Sequence, residues 1–317
     1  MIRWLVVGAG GAGRAHAAAL REVRGAALAG IVAPEGASGV DLPSGTPVFP
    51  DLARALAESG ADAVVIATPH DTHLALGLAV LAAGLPLLLE KPVALGSAEA
   101  RELAGCAAAR GVRAGVVLNQ RATAHARWIR EQVHEGRLQV SNVAFSASLA
   151  RLRGWHADPR RAGGGVLRTV GIHYVDLLRW WLGEPAQVTA VMAGEPAEDR
   201  FAVGMRFPGG ALGSVQVCAT AERSAGPVRC VIDGAGARLE MLGHRIVSLE
   251  GLEAPPAEPV GGPALAFGPG HWIVLDEATR ALERGAAFPV PLAEALPTLE
   301  LIERLYAAAR GQDPRPG

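Results

Sequence analysis

Over the first third of the chain, short runs of apolar residues alternate with stretches of helical periodicity. Residues 2–7, 26–32, 63–66, 86–89 and 113–118 are compact apolar runs. Such runs are too short for core helices and fit strands buried on both faces. Residues 14–20, 52–58, 72–83 and 97–110 between them read as helices, with Asp71 or Thr72 as the N-cap of the third. Strands separated by helices predict a parallel, doubly wound α/β sheet of Rossmann type, whose ligands lie at the carboxyl ends of its strands.

The pattern changes near Asn119. A helix is expected over residues 124–135, and residues 139–149 alternate like a strand. Further strands are predicted at 187–193, 200–207, 211–218, 228–233, 237–241 and 246–249, with Phe207-Pro208-Gly209-Gly210-Ala211 as a hairpin turn. Strands without intervening helices indicate an α+β unit with a mostly antiparallel open sheet. Residues 254–270 read as a loop, and helices near 272–284 and 293–310 close the chain. The expected division is therefore a Rossmann-type domain over 1–119 and an α+β domain over 120–317.

The turn after the first strand sharpens this picture. Gly8-Ala9-Gly10-Gly11-Ala12-Gly13 fits GxGxxG between a strand and a helix. Gly8 permits the tight turn, Gly10 lets backbone approach a pyrophosphate, and Gly13 allows close helix–strand packing. The strand ends at Thr68-Pro69-His70, Glu90-Lys91-Pro92 and Asn119-Gln120-Arg121 should line the same crevice. The position that selects the cofactor carries neither an acid nor an arginine: Ile31-Val32 runs into Ala33-Pro34-Glu35. NAD and NADP both stay open, with Glu35 a candidate for the ribose.

Composition singles out one residue. Of 30 Lys and Arg residues, Lys91 is the only lysine. Lysine is a compact donor whose pKa falls readily on burial, unlike guanidinium, and proton-sharing sites use that property. The net charge of −1 and the lack of basic runs argue against a nucleic-acid partner. No apolar stretch is long enough to span a membrane. Three scattered cysteines, Cys106, Cys218 and Cys230, read as reduced thiols of a cytoplasmic protein and offer no metal-ligand spacing.

In the second half, Gly163-Gly164-Gly165 precedes a predicted helix over 167–182. Thr169, His173 and Asp176 share one face of it, in an otherwise apolar sequence. A polar stripe on a buried helix needs partners, because unpaired buried polar groups cost about 1–3 kcal/mol each. Together with the glycines this makes His173 a candidate general base. His16 reads as lying near the phosphates or simply packed, and His125, His134, His156, His244 and His271 as structural or surface residues.

Taken in order, these features resemble the Gfo/Idh/MocA oxidoreductases, NAD(P)-dependent enzymes of sugars and polyols. The marks are Gly8–Gly13 with His16, residues 62–69 with His73, Glu90-Lys91-Pro92, Asn119-Gln120-Arg121, the triple glycine, Gly171-Ile172-His173 with Asp176, and the last helix. Arg153-Gly154-Trp155 resembles the branch that oxidises nucleotide-linked sugar acids.

The resemblance implies Lys91 and His173 at the nicotinamide end of the cofactor, with Trp155 nearby. It implies Gly8, Gly10, Gly11, Ala12, Gly13, Thr68, Pro69, His73, Glu90 and Asn119 along the dinucleotide, and Arg121 on the substrate. Thr169 departs from the Asp that many members carry four residues before the histidine. The expected activity is hydride transfer at a secondary alcohol of a sugar, sugar-nucleotide or polyol, in a homodimer or homotetramer. The alternative is a regulatory protein that senses NAD(P) without turnover.

Overall fold

The computed structural model describes residues 1–33, 45–255 and 269–311. Two compact units result, Met1–Ala122 with Val260–Leu296 and Thr123–Pro259 with Pro297–Gly317.

In the first unit the elements follow as β1 (Ile2–Val7), α1 (Gly11–Leu20), β2 (Ala26–Val32), β3 (Val48–Phe49), α2 (Leu52–Glu58), β4 (Ala63–Ile66), α3 (His73–Ala82), β5 (Leu87–Glu90), α4 (Ser97–Arg110) and β6 (Ala114–Val117). The strands form one parallel sheet in the order β3-β2-β1-β4-β5-β6. The sequence order reverses between β1 and β4, and α/β sheets bind ligands at that switch point. Strands β4 and β5 are buried along their whole length, as their unbroken apolar runs require.

The second unit begins with α5 (Ala124–His134) and β7 (Val140–Ala150), then the short α6 (Pro159–Ala162) and the long α7 (Ile172–Leu182). Strands β8 (Gln187–Ala193), β9 (Arg200–Arg206), β10 (Leu212–Ala221), β11 (Arg229–Gly234), β12 (Ala237–Leu242) and β13 (Arg245–Glu250) follow. The sheet order is β13-β12-β11-β7-β10-β9-β8, antiparallel except where β7 meets β10. Register explains its two faces. Val188, Met205, Gly213, Val143, Ile232 and Leu239 stand side by side and are buried. Val191, Ala202, Gln216, Ser146, Arg229 and Leu242 form the parallel row on the other face and are exposed. The buried face carries α7, whose Trp181 stacks on Phe145 and donates its indole N–H to Ala126 O at 3.0 Å.

One element departs from the expected division at residue 119. α8 (Gly270–Glu283) belongs to the first unit, where Ile273, Leu275 and Ala278 join Trp4, Val6 and Leu20 in one core. Trp4 Nε1 donates to Thr279 Oγ1 at 3.1 Å. Only α9 (Leu296–Ala309) remains with the second unit over nearly all its length. The predicted helix over 167–182 is also two elements: residues Leu167–Gly171 form a π-turn and α7 starts at Ile172. Glu35 and Pro34 lie outside the described residues.

Candidate active site

The glycine turn is built as its sequence requires. Gly8 adopts φ +111°, and a Cβ there would strike Ala67 O, in the turn that follows β4. Gly13 packs so closely on Gly8 O that no side chain fits. Gly10 is different: it is extended (φ −72°, ψ −171°) and faces open space. It caps α1 without a side-chain hydrogen bond, and the first turn holds no acidic residue. Unopposed N–H groups at the start of a ten-residue helix, beside an open glycine, fit a pyrophosphate.

Around this turn the other strand ends are tied together within the first unit. Thr68 Oγ1 lies 2.7 Å from Thr72 Oγ1, and Thr72 donates to Pro69 O at 2.6 Å. His73, fully buried, lies between two carbonyl oxygens, with Nδ1 2.9 Å from Pro92 O and Nε2 3.0 Å from Thr68 O. A neutral ring has one N–H, so it donates to the Thr68 turn or to the turn after Lys91, according to its tautomer. Burial lowers its pKa, and the carbonyls and Glu90 oppose the shift.

Glu90 sits at the end of β5, buried, with the half-buried Lys91 next in sequence. His16 Nε2–H donates to Glu90 Oε1 at 2.8 Å, and His271 Nε2 lies 3.2 Å from the same oxygen. Glu90 Oε2 accepts the Lys91 backbone N–H at 3.1 Å. Asn119 Nδ2 is 3.3 Å from His271 Nδ1, so the neutral ring carries its proton on Nε2, toward the carboxylate. Asn119 Oδ1 is buried with no hydrogen-bond partner among the described residues, which suits it to a donor on a ligand. Burial alone would raise the pKa of Glu90, but the two imidazoles hold it well below the usual carboxylate range. Burial lowers the pKa of the Lys91 ammonium, and the Glu90 charge opposes that.

Arg121 is buried and directs NH1 to Glu294 Oε2 at 3.2 Å. In the second unit, the triple glycine is gripped by Glu198. Its Oε2 accepts from Gly165 N (2.9 Å), its Oε1 from Leu167 N (3.0 Å) and Tyr306 OH (2.6 Å), and its carbonyl from Val166 N (2.8 Å). Thr169 donates its hydroxyl to Gly165 O at 2.9 Å. His173 follows on the first turn of α7, half-buried. Asp176 Oδ1, buried, accepts from Thr298 Oγ1 at 2.7 Å. Trp155 is half-buried in a single helical turn and stacks on His156 at 3.7 Å.

His271 and Glu198 carry more of the arrangement than their sequence context suggests. Each acts on residues far away along the chain, where no spacing rule reaches.

Comparison with known proteins identifies the family. Residues 2–118 match the Gfo/Idh/MocA oxidoreductase family, NAD-binding Rossmann fold, and residues 125–240 match the Gfo/Idh/MocA C-terminal domain. The 1,5-anhydro-D-fructose reductase of Ensifer adhaerens is 34% identical over 161 residues, 48% of each chain. An inositol 2-dehydrogenase of Rubrobacter xylanophilus is 30% identical over 236 residues, 67% of this chain and 63% of that one. The chain spans about half the length of the first curated relatives it matches. The WlbA dehydrogenase of Bordetella pertussis, solved with NADH and UDP-GlcNAcA, superposes with a TM-score of 0.84 at 25% identity, over 98% of this chain and 96% of that one. With family models matching in both units, this chain belongs to the Gfo/Idh/MocA oxidoreductase family.

Proposed function

We propose that the chain is an NAD(P)-dependent dehydrogenase acting on a secondary alcohol of a sugar, sugar-nucleotide or polyol. The observation that carries this reading is the pairing of an open glycine turn at Gly10 with a half-buried Lys91, whose backbone N–H the buried Glu90 carboxylate holds, in the same unit. A bound nicotinamide would supply the hydride acceptor for oxidation of the carbinol to a ketone. Lys91 donates a hydrogen bond to the reacting oxygen and stabilises the charge that develops there. His173 accepts the hydroxyl proton. Gly8, Gly10, Gly11, Ala12 and Gly13 hold the pyrophosphate, and Asn119 offers Oδ1 to a donor on the cofactor. Thr68, Pro69, Glu90 and Trp155 complete the cofactor contacts, while Arg121, Thr169 and Asp176 support the substrate side.

Ala33, at the end of β2, leaves the choice between NAD and NADP to direct binding measurement. The exposed sheet face, with Val191 73% and Leu212 52% exposed, supports a homodimer or homotetramer, which light scattering after gel filtration tests. The free thiols support a reducing, cytoplasmic setting. Among the described residues no helix is long and apolar enough to cross a membrane.

The test is turnover of Lys91→Met and His173→Gln against a panel of sugars, polyols and nucleotide sugars. Each should lose about 10²–10⁴-fold in kcat while keeping dinucleotide affinity. Wild-type turnover in both variants overturns the assignment. Tight dinucleotide binding with no turnover on any panel member favours the sensor reading.

A further inference from the structure

Glycines, a carboxylate and a phenol, all from the second unit, converge on the π-turn that precedes His173. Gly165 and Leu167 give their N–H groups to the two oxygens of the Glu198 carboxylate, and Tyr306 from α9 donates its hydroxyl to Oε1. The glycines let these partners in: a Cβ on Gly164 would strike the Tyr306 hydroxyl, and one on Gly165 the Glu198 carbonyl oxygen. Arg168, the second residue of the π-turn, lies over the Tyr306 ring at 5.6 Å from its centroid. Burial and the Glu198 charge push the Tyr306 phenol up, so the hydroxyl keeps the proton it donates.

Leu167 is where this hold reaches α7. Its N–H goes to Glu198, and its carbonyl accepts from the N–H of Ile172, the neighbour of His173. A bond of that i to i+5 span makes the turn π and not α. A helix turns about 100° per residue, so closing the turn to α-helical bonds rotates the residues on its two sides against each other by about that angle. Glu198 fixes the upstream side, and Trp181 stacked on Phe145 fixes α7 downstream. His173, on the first turn between them, takes its direction from both.

We propose that Glu198 and Tyr306 are positioning residues for His173: by holding the π-turn at Leu167 they set the direction in which the imidazole leaves α7. This rests on the reading of His173 as the acceptor of the hydroxyl proton. Both residues act through the turn.

Full-length protein grown with ring-¹⁵N histidine gives signals from nine imidazoles, and His173→Gln identifies the His173 signal by its loss. Tyr306→Phe removes one hydroxyl and keeps the ring under Arg168, while Glu198→Gln leaves one of the two acceptor oxygens. In both variants the His173 signal should shift while most of the others hold. On a substrate from the sugar and polyol panel, kcat should fall by up to about 10²-fold, the scale of a small misplacement, with dinucleotide affinity unchanged.

A residue that only stabilises the unit lowers the melting temperature and leaves the His173 signal and kcat as they were; that result overturns the proposal. A shift of all the histidine signals together marks a general loosening of the fold and overturns it as well. If Glu198→Gln does not fold, Tyr306→Phe decides alone. The imidazole signal needs no substrate. Wild-type turnover in His173→Gln therefore sinks the functional reading, while the signal still decides whether Glu198 and Tyr306 hold this ring in place.

Discussion

Gly10 and Gly13 share one motif and face opposite constraints, which separates binding from folding at single residues. A methyl on Gly10 enters open space at an ordinary φ, so Gly10→Ala should melt close to wild type. It also fills the approach to the helix N-terminus, so dinucleotide affinity should fall at least about tenfold, a loss of roughly 1.4 kcal/mol. A methyl on Gly13 strikes the Gly8 carbonyl, so Gly13→Ala should lose about 1–3 kcal/mol or more of stability, as overpacking does. Calorimetric melting and titration with NAD and NADP separate the two effects. Equal affinity in Gly10→Ala and wild type would remove the phosphate from that turn. The motif was legible because glycine chemistry is local. Lys91 was legible through composition, as the one ammonium in an arginine-rich chain. His271 was not: a lone histidine on an amphipathic helix reads as packing, and its partner Glu90 lies in a distant strand.

At the level of elements, hydrophobic periodicity found both sheets because each strand's burial pattern is written in its own residues. It missed what depends on contacts from elsewhere. The apolar pattern over 167–182 runs through without a break, so the π-turn at Leu167–Gly171 leaves no trace in it. Irregular turns of this kind often mark functional positions. Here the turn begins on amides held by Glu198 from the segment between β8 and β9, and ends just before His173. Glu198→Ala should strand the Gly165 and Leu167 N–H groups and the Tyr306 hydroxyl, costing about 1–3 kcal/mol. Glu198→Gln, which keeps one acceptor, should cost less. Hydrogen exchange checks the mechanism: amides 165–167 should lose protection in Glu198→Ala while those of β11 keep theirs. Uniform loss across the unit would show that Glu198 acts on global stability and not on this turn. The return of α8 to the first unit was hidden for the same reason, since an amphipathic helix shows its apolar face but not the core it covers.

At the scale of the whole molecule, two buried histidines should weaken the fold in acid. His16 and His73 both have pKa values below their ordinary 6.5, chiefly through burial. As pH falls below 6.5, the unfolded chain protonates these rings while the folded chain keeps them neutral. The unfolded state then holds more protons, so stability falls with falling pH, by up to about 1.4 kcal/mol per pH unit for each ring. Glu90 acts in a separate window. Its depressed pKa stabilises the fold above the ordinary carboxylate value of 4.5, and that contribution disappears only as pH falls through its lower folded value. Thermal midpoints should therefore decline from just below pH 6.5, before the carboxylates titrate. His73→Gln isolates one contribution. Gln does not reproduce the packing of the ring or its hydrogen bond to Thr68 O or Pro92 O, so the variant should be less stable than wild type at pH 8. It has nothing to protonate, so the gap between variant and wild type should narrow at pH 5.5. A gap of the same size at both pH values would mean that His73 does not titrate in this range, and that the acid sensitivity belongs to another group.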